Sequence, residues 1–328
     1  MVHPFSYQRA TGDVDAIRIA AARPGVAFIA GGTDLLQLWK LGICAPDLVV
    51  DISRLPLGAI EARGGGVAIG ALATMSEVAD HPLIRTGYPA ISQALLASAS
   101  AQIRNVATIG GNLMQRTRCA YFRSDTLPCN KRQPGSGCGA IGGENRLHAI
   151  FGASPHCAAT HASDLAVALV ALDGLVRIRG ADGVRTLPAE DFFLLPGDHP
   201  ERDTALQPGE LIVEIEVPGG ELARRSAYLK QRDRASFEFA VVSVAVALEV
   251  EGGAIRNARI AAGGVGTRPW RLRNCEAALA GARVGEAAFQ TAARSAADGA
   301  APLSGNGFKC ELLKRLVFRA LKEIGGEA

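Results

Sequence analysis

Residues 103–113 read Ile-Arg-Asn-Val-Ala-Thr-Ile-Gly-Gly-Asn-Leu, with a glycine pair close behind a threonine. An earlier segment, Ala30-Gly-Gly-Thr-Asp34, also joins a glycine pair to a threonine, between a predicted strand and a predicted helix. At such a junction backbone amides lack intrahelical partners, and glycine lets a phosphate come close to the main chain. Either turn alone is more typical of an ordinary chain reversal, but two in one chain make a nucleotide-type cofactor an equal alternative. Neither matches the Gly-x-Gly-x-x-Gly fingerprint or the phosphate-binding P-loop.

The composition is that of a folded protein with a large core. The chain has 328 residues, of which 48% are hydrophobic and 20% are charged, which excludes a disordered chain and suits two or three subdomains. A net charge of +3 and 5% aromatic residues give no basis for expecting a nucleic-acid partner. The sequence shows neither the basic-then-apolar start of a secretory signal nor an apolar run of about 18 residues, so we expect no membrane span.

The order of the predicted elements divides the chain into three units. Residues 1–55 form a β–α–β unit, and residues 56–220 form a second α/β unit that contains an irregular loop at 115–160. Residues 221–328 run strands first and helices afterwards, which is typical of an α+β domain. The segment Pro218-Gly-Gly220 marks the last boundary.

Apolar periodicity predicts the individual elements within these units. We expect helices at 13–23, 35–40, 76–80, 90–101, 164–172, 274–280, 285–297 and 309–324. We expect strands at 26–30, 48–52, 66–70, 176–178, 211–217, 227–230, 238–250 and 257–263.

Four of the seven cysteines lie in one irregular stretch, and they are candidate metal ligands. They are Cys119, Cys129, Cys138 and Cys157. A structural zinc site normally contains a tight Cys-x2–4-Cys pair, which is missing here, and disulfides need an oxidising compartment. Four irregularly spaced thiolates suit a [4Fe–4S] cluster. From spacing alone, zinc and a disulfide or free thiols remain alternatives.

Basic residues surround these cysteines and would offset the negative charge of a thiolate cluster. They are Arg116, Arg118, Arg123, Lys131, Arg132 and Arg146. Three histidines border the stretch, at 148, 156 and 161, and any of them could be a ligand, although four cysteines already suffice. The scattered Cys44, Cys275 and Cys310 are predicted to be structural.

Two further charged residues are candidate cofactor contacts. Asp164 follows Ser163 at the start of a predicted helix, where Ser163 could equally be a plain N-cap. Lys230 lies on a strand-like run and could face a diphosphate or simply sit on a solvated edge strand. We find no nucleophile–base pair and no His-Glu-x-x-His zinc motif, so a bound cofactor is expected to carry the chemistry.

Several segments together resemble the FAD-binding subunits of the molybdenum hydroxylases, the group that includes xanthine dehydrogenase and carbon monoxide dehydrogenase. They are residues 30–36, 103–113 and 163–173, and residues 260–271 resemble that family's C-terminal domain. The cysteine stretch is similar to the flavin subunit of bacterial periplasmic aldehyde oxidoreductase, which carries an extra [4Fe–4S] cluster. The flavin subunit of 4-hydroxybenzoyl-CoA reductase also has an inserted cluster loop and stays the alternative.

The resemblance implies an α+β protein with a vanillyl-alcohol-oxidase (PCMH)-type FAD-binding fold of two α/β subdomains plus a C-terminal α+β domain. It implies FAD contacts from Ala30, Gly31, Gly32, Thr33, Asp34, Leu35, Ala107, Thr108, Gly111, Asn112, Met114, Asp164, Leu211, Ile212 and Lys230. The four clustered cysteines would bind the [4Fe–4S] cluster. No residue of this chain is expected to be catalytic.

The implied role is electron transfer within a heterotrimeric molybdenum-dependent aldehyde oxidoreductase. A large partner subunit would hold the molybdenum cofactor, and a small partner would pass electrons through [2Fe–2S] clusters to FAD in this chain, which would deliver them to an external acceptor. The location would be periplasmic by co-export with a partner, or cytoplasmic. The rival from another class is a nucleotide-binding module with a structural zinc site.

Overall fold

The computed structural model describes residues 3–326, which form three β-sheets with helices packed around them. The strands are β1 (Ser6–Arg9), β2 (Val26–Ile29), β3 (Leu48–Asp51), β4 (Ile60–Arg63), β5 (Gly66–Gly70), β6 (Leu175–Gly180), β7 (Gly183–Pro188), β8 (Leu211–Val217), β9 (Ser226–Gln231), β10 (Val242–Glu251), β11 (Ala254–Gly263) and β12 (Trp270–Arg271). The strand orders are β1-β3-β2, β4-β5-β8-β6-β7 and β12-β11-β10-β9.

The helices are short except for the last one. They are α1 (Asp13–Ala21), α2 (Leu35–Lys40), α3 (Met75–Asp80), α4 (Pro82–Gly87), α5 (Pro89–Ala97), α6 (Ala101–Arg104), α7 (Ile109–Leu113), α8 (Ala120–Arg123), α9 (Gly139–Gly142), α10 (Asp164–Ala171), α11 (Ala189–Phe192), α12 (Glu221–Arg224), α13 (Arg273–Leu279), α14 (Glu286–Arg294) and α15 (Phe308–Gly325). A 3-10 turn lies at Ser295–Ala297. No helix within residues 3–326 is long and apolar enough to cross a lipid bilayer.

The first sheet is parallel, and the second is antiparallel. In the first, β1 and β2 both pair with β3, and α1 buries its apolar face against the sheet. Strand β8 connects the two sheets: Leu211 and Val213 enter the core beneath the first sheet, while Ile212 and Ile215 enter the core of the second. Both faces of β8 are therefore packed against hydrophobic cores.

The third sheet lies between two helical layers because its central strand presents different side chains to each face. Along β10, Ala245 and Ala247 face α10, whereas Val244, Val246 and Leu248 face α15. The small alanines let α10 approach closely, and the larger side chains fill the opposite core. Helix α10 is buried over its whole length, and Ser163 caps it by accepting the Ala166 amide at 3.0 Å.

Two predicted elements were wrong by four residues at one end, and the strand at 257–263 and the helix at 285–297 were wrong by three. The helix expected at 90–101 stops at Ala97, because Ser98 donates its hydroxyl to Asp164 at 2.7 Å and Ala99 has a left-handed φ of 51°. The strand expected from 238 starts at Val242, after a loop in which Phe237 has a φ of 53°. The unit boundaries at 55 and 220 stay a prediction.

Arg271 in β12 joins the third sheet to α10. Its guanidinium donates to the Val170 carbonyl at 3.0 Å and to Asp173 at 2.8 Å, and it also pairs with Glu276. Only 8% of the Arg271 side chain is exposed. Removing Arg271 is costly, because this buried cation pairs with two acids and with a main-chain carbonyl at the C-terminal end of α10.

We expect Arg271→Ala to lower the free energy of unfolding by about 2 to 3 kcal/mol, because Glu276 and the Val170 carbonyl lose their partner. The measurement is urea unfolding at neutral pH. Arg256→Ala is the control, since Arg256 pairs with Glu251 at 2.6 Å where both side chains are exposed, and its loss is expected to be within about 0.5 kcal/mol. Equal losses in the two variants would contradict this role for Arg271.

Candidate functional site

A cavity of about 1250 Å³ lies where the three sheet-containing parts of the chain meet. Its wall includes both glycine-pair turns, the start of α10, the inner end of β9 and the loop that follows β9. Pockets for compact ligands usually measure about 300 to 1,000 Å³. The cavity is therefore large enough for an extended ligand of dinucleotide size.

The turn at residues 30–35 provides free hydrogen-bond donors on this wall. The backbone amides of residues 31–34 donate to no other group within residues 3–326. Gly32 has a left-handed φ of 68°, and a Cβ on Gly31 would come within 2.0 Å of the Val106 carbonyl oxygen. The two glycine turns thus touch each other, and only glycine permits the contact. Ala30, Thr33, Asp34 and Leu35 also line the cavity.

The second turn differs from the first, because its amides are already used. Ile109 and Gly110 donate their amides to the carbonyls of Ala73 and Ala71 at 2.9 and 2.8 Å. The Thr108 hydroxyl accepts the Gly111 amide at 3.3 Å. This turn shapes the wall rather than supplying donors. The predicted site residues Ala107, Thr108, Gly111, Asn112 and Met114 all line the cavity.

Asp164 and Lys230 form a buried ion pair on the cavity wall. Their charged atoms are 2.8 Å apart, and the side chains are 6% and 3% exposed. Asp164 also accepts the hydroxyls of Ser98 at 2.7 Å and Tyr228 at 2.5 Å, and burial together with the Asp164 charge raises the pKa of Tyr228 well above its usual value. The alternative of a solvated Lys230 was wrong, although β9 is an edge strand.

Leu211 and Ile212 are the two predicted cofactor contacts that the structure does not bring to this wall. Both side chains are buried in β8, in the cores described above. Neither is among the residues that line the cavity.

Asp34 connects the first turn to the cysteine stretch. Its carboxylate accepts the Arg116 amide at 2.8 Å and an Arg123 guanidinium N–H at 2.9 Å, and it pairs with Arg118. Most of the other predicted compensating cations also have partners of their own. Arg116 and Lys131 pair with Asp203, Arg146 pairs with Asp233, and Arg132 donates to main-chain carbonyls.

The structure brings the four clustered cysteines near one another, because Cys129 and Cys157 act electrostatically on Cys119, and Cys129 and Cys138 act on Cys157. Cys129 and Cys138 face each other in an antiparallel backbone bridge, and all four thiols are free. Burial raises the pKa of Cys119 to about 11, the Phe122 and Tyr121 amides oppose that rise, and the neighbouring Cys129 and Cys157 add to it. Within residues 3–326, no three His, Cys, Asp or Glu side chains meet at the position of a single metal ion.

Sequence reasoning missed several residues of the cavity wall. His148 lies there with Nε2 at 3.2 Å from Cys119 Sγ, and Cys119 lines the cavity itself. Cys44 also lines it, close to Cys119 and Cys129, although it was predicted to be structural only. The exposed Phe237 and Phe239 follow β9 in a segment that periodicity assigned partly to a strand. Among these residues, only His148 could have been predicted from the sequence, through its position beside the cysteine stretch.

Comparisons with known proteins cover nearly the whole chain. The family profile for the FAD binding domain in molybdopterin dehydrogenase matches residues 3–220, and that for the CO dehydrogenase flavoprotein C-terminal domain matches residues 227–324. The aldehyde oxidoreductase FAD-binding subunit PaoB of Escherichia coli (strain K12) is 44% identical over 326 residues, which is 99% of each chain. The glyceraldehyde dehydrogenase medium chain of Sulfolobus acidocaldarius is 27% identical over 98% of each chain.

Solved structures agree with the family profiles. A chain of the carbon monoxide dehydrogenase from Hydrogenophaga pseudoflava matches with a TM-score of 0.76 and 26% identity. The match covers 98% of this chain and 97% of that chain. The predicted fold class is confirmed.

His161, next to the cavity-lining residues Thr160 and Ala162, makes the stability of the fold depend on pH. Burial lowers the pKa of this residue to about 4, and its Nδ1 accepts the Ser163 amide at 3.2 Å while the ring packs edge-on against Phe193. Since the unfolded pKa is about 6.5, the unfolded chain binds the proton first as the pH falls. The stability from neutral His161 is complete above the unfolded pKa and is lost as the pH falls toward the folded pKa.

As the pH falls between the two pKa values, the free energy of unfolding of the wild type should drop by about 2 kcal/mol more than that of His161→Asn. The asparagine keeps an acceptor but does not titrate. The measurement is urea unfolding of both proteins over the interval between the two pKa values. Parallel curves for wild type and variant would contradict the assignment.

Proposed function

This chain belongs to the FAD-binding subunits of the molybdenum hydroxylases, and we propose that it is the electron-transfer subunit of an aldehyde oxidoreductase that holds a [4Fe–4S] cluster beside its FAD. The family is shown by the two profiles and by 44% identity to an aldehyde oxidoreductase subunit over the full length. The same relative favours an aldehyde over a CoA thioester as the substrate of the assembly.

The free amides of residues 31–34 are the observation that carries the assignment of the cavity to FAD. A diphosphate needs several donors at short range, and main-chain amides in a glycine turn supply them without a side chain in the way. The second turn, which touches the first, lines the same cavity. The buried ion pair of Lys230 and Asp164 fixes a cation and its counter-charge on the same wall. These residues fit the cofactor.

The residues of this chain would bind FAD, orient it and shield it from water. FAD, when bound, supplies the redox chemistry that protein side chains lack. The first turn would hold the diphosphate, and the wall of apolar side chains around Met75, Ile103 and Met114 would exclude water. Because no nucleophile–base arrangement is involved, substrate oxidation belongs to another subunit in this proposal.

The four gathered thiols support the cluster. Burial holds the free thiols protonated, as the raised pKa of Cys119 and of Cys157 indicates, so loading requires a metal that displaces the protons. Four thiols that lie near one another match the number of ligands that such a cluster needs. Cys119, Cys129, Cys138 and Cys157 would be its ligands.

The partners follow by analogy with relatives that are named as subunits or medium chains. We infer a heterotrimer with a large molybdenum-cofactor subunit and a small [2Fe–2S] subunit that delivers electrons to this chain. The external acceptor is a further partner. Periplasmic location by co-export, or a cytoplasmic one, stays a prediction.

Gly31→Ala is expected to reduce the FAD bound per purified chain by about tenfold or more, because the new Cβ would force the two glycine turns apart. The measurement is flavin absorbance after release from a known amount of protein. Gly12→Ala is the control, since a Cβ at that extended position meets nothing within 4 Å. Full FAD in the Gly31 variant would contradict the assignment of this turn.

The wild-type chain, purified without oxygen, is expected to contain about four irons, four acid-labile sulfides and one FAD. Cys129→Ser should lose most of the iron and keep FAD, because the cavity wall does not include Cys129. Cys310→Ser, in α15, should keep both. Zinc in place of iron, or full iron in the Cys129 variant, would rule out the proposed cluster ligands.

A further inference from the structure

His148 and Cys119 lie together where part of the cysteine stretch lines the cavity. Nε2 of His148 lies 3.2 Å from Sγ of Cys119, and both side chains line the cavity wall. Four cysteines complete the ligand set of a [4Fe–4S] cluster, so His148 is left for another role. The role inferred below rests on the cluster proposed above.

The partners of the ring decide which nitrogen of His148 carries the proton. Nδ1 has no hydrogen-bond partner within residues 3–326, so nothing there favours a proton on that atom. Nε2 faces the Cys119 sulfur, and a cysteine sulfur that binds iron has lost its proton and can only accept. With iron bound to Cys119, the ring proton would therefore lie on Nε2 and be donated to the sulfur.

Contacts from the C-terminal part of the chain hold His148 in place. Lys309 Nζ and Asn306 Nδ2 donate to the His148 carbonyl at 3.0 and 3.1 Å, and both side chains are fully buried. Tyr121 packs against the ring with a centroid distance of 6.0 Å. A Cβ on Gly139 would lie 2.4 Å from the Tyr121 ring, so that glycine admits the tyrosine. The ring is thus supported on its main-chain side and on one face.

We propose that His148 is a positioning residue that sets the reduction potential of the cluster, through a hydrogen bond from its Nε2–H to the sulfur of Cys119. Reduction adds one electron to the cluster and breaks no bond. The added negative charge spreads onto the ligand sulfurs, where a donor stabilises it, and hydrogen bonds to sulfur are among the factors that set such potentials. Without the donor, the oxidised form gains relative to the reduced form.

The test is a redox titration of the cluster's EPR signal in the purified holoprotein. His148→Phe should keep its iron and shift the one-electron equilibrium about tenfold toward the oxidised form, which corresponds to about 59 mV. His148→Gln, whose amide can donate, should recover part of the shift. His156→Phe is the matched control, because His156 borders the same stretch and its side chain is 47% exposed. The potential of the cluster in this variant should not change.

Pulsed EPR of the reduced wild-type protein carrying 15N-labelled histidine gives a second measurement that needs no variant. A weak nitrogen coupling, as expected across a hydrogen bond, supports the proposal. A strong coupling, which marks direct ligation, overturns it, and so does the absence of any coupling. An unchanged potential in the phenylalanine variant also overturns it. Wild-type protein without iron would instead refute the cluster itself, and metal analysis shows this first.

Discussion

The buried carboxylate of Asp164 is the constraint on which the cavity depends. An ion removed from water costs several kcal/mol unless donors replace the lost hydration. Here the donors come from two separate segments, from Ser98 after α5 and from Tyr228 and Lys230 on β9. Their convergence fixes where α5 ends, where α10 begins and how β9 lies against both. The cavity wall is the surface that these three elements leave open.

Charge plays a similar part in the cysteine stretch, which has almost no apolar core of its own. Asp34 and Asp203 each collect two or more cations from that stretch, and Lys131 is among them although only 6% of its side chain is exposed. These pairs replace hydrophobic packing as the source of local order. They also mean that the arginines are largely neutralised by the protein, so hydrogen bonds to the sulfurs gain weight as the means of stabilising charge on a bound cluster.

Local sequence patterns predicted the elements well where the determinants are local. Apolar periodicity placed α10 and all of β10 except its start, and the N-cap interpretation of Ser163 was correct. The failures have non-local causes. β1 is exposed along its length and is defined by pairing with β3, some forty residues away. The helix break after Ala97 depends on Asp164. The different use of the two glycine turns depends on carbonyls at Ala71 and Ala73, which no motif encodes.

The ends of the cysteine stretch lie side by side, since the Thr117 hydroxyl donates to the Thr160 carbonyl at 2.9 Å. A segment whose ends already meet adds little loop-closure cost and disturbs neither flanking element. Residues 118–159 thus leave and rejoin the rest of the chain at one place, although Arg118, Lys131 and His148 also connect them to the surrounding fold. A change in the length of this segment would therefore leave the spacing of the two flanking elements unchanged, so its length can vary while the fold on either side stays the same.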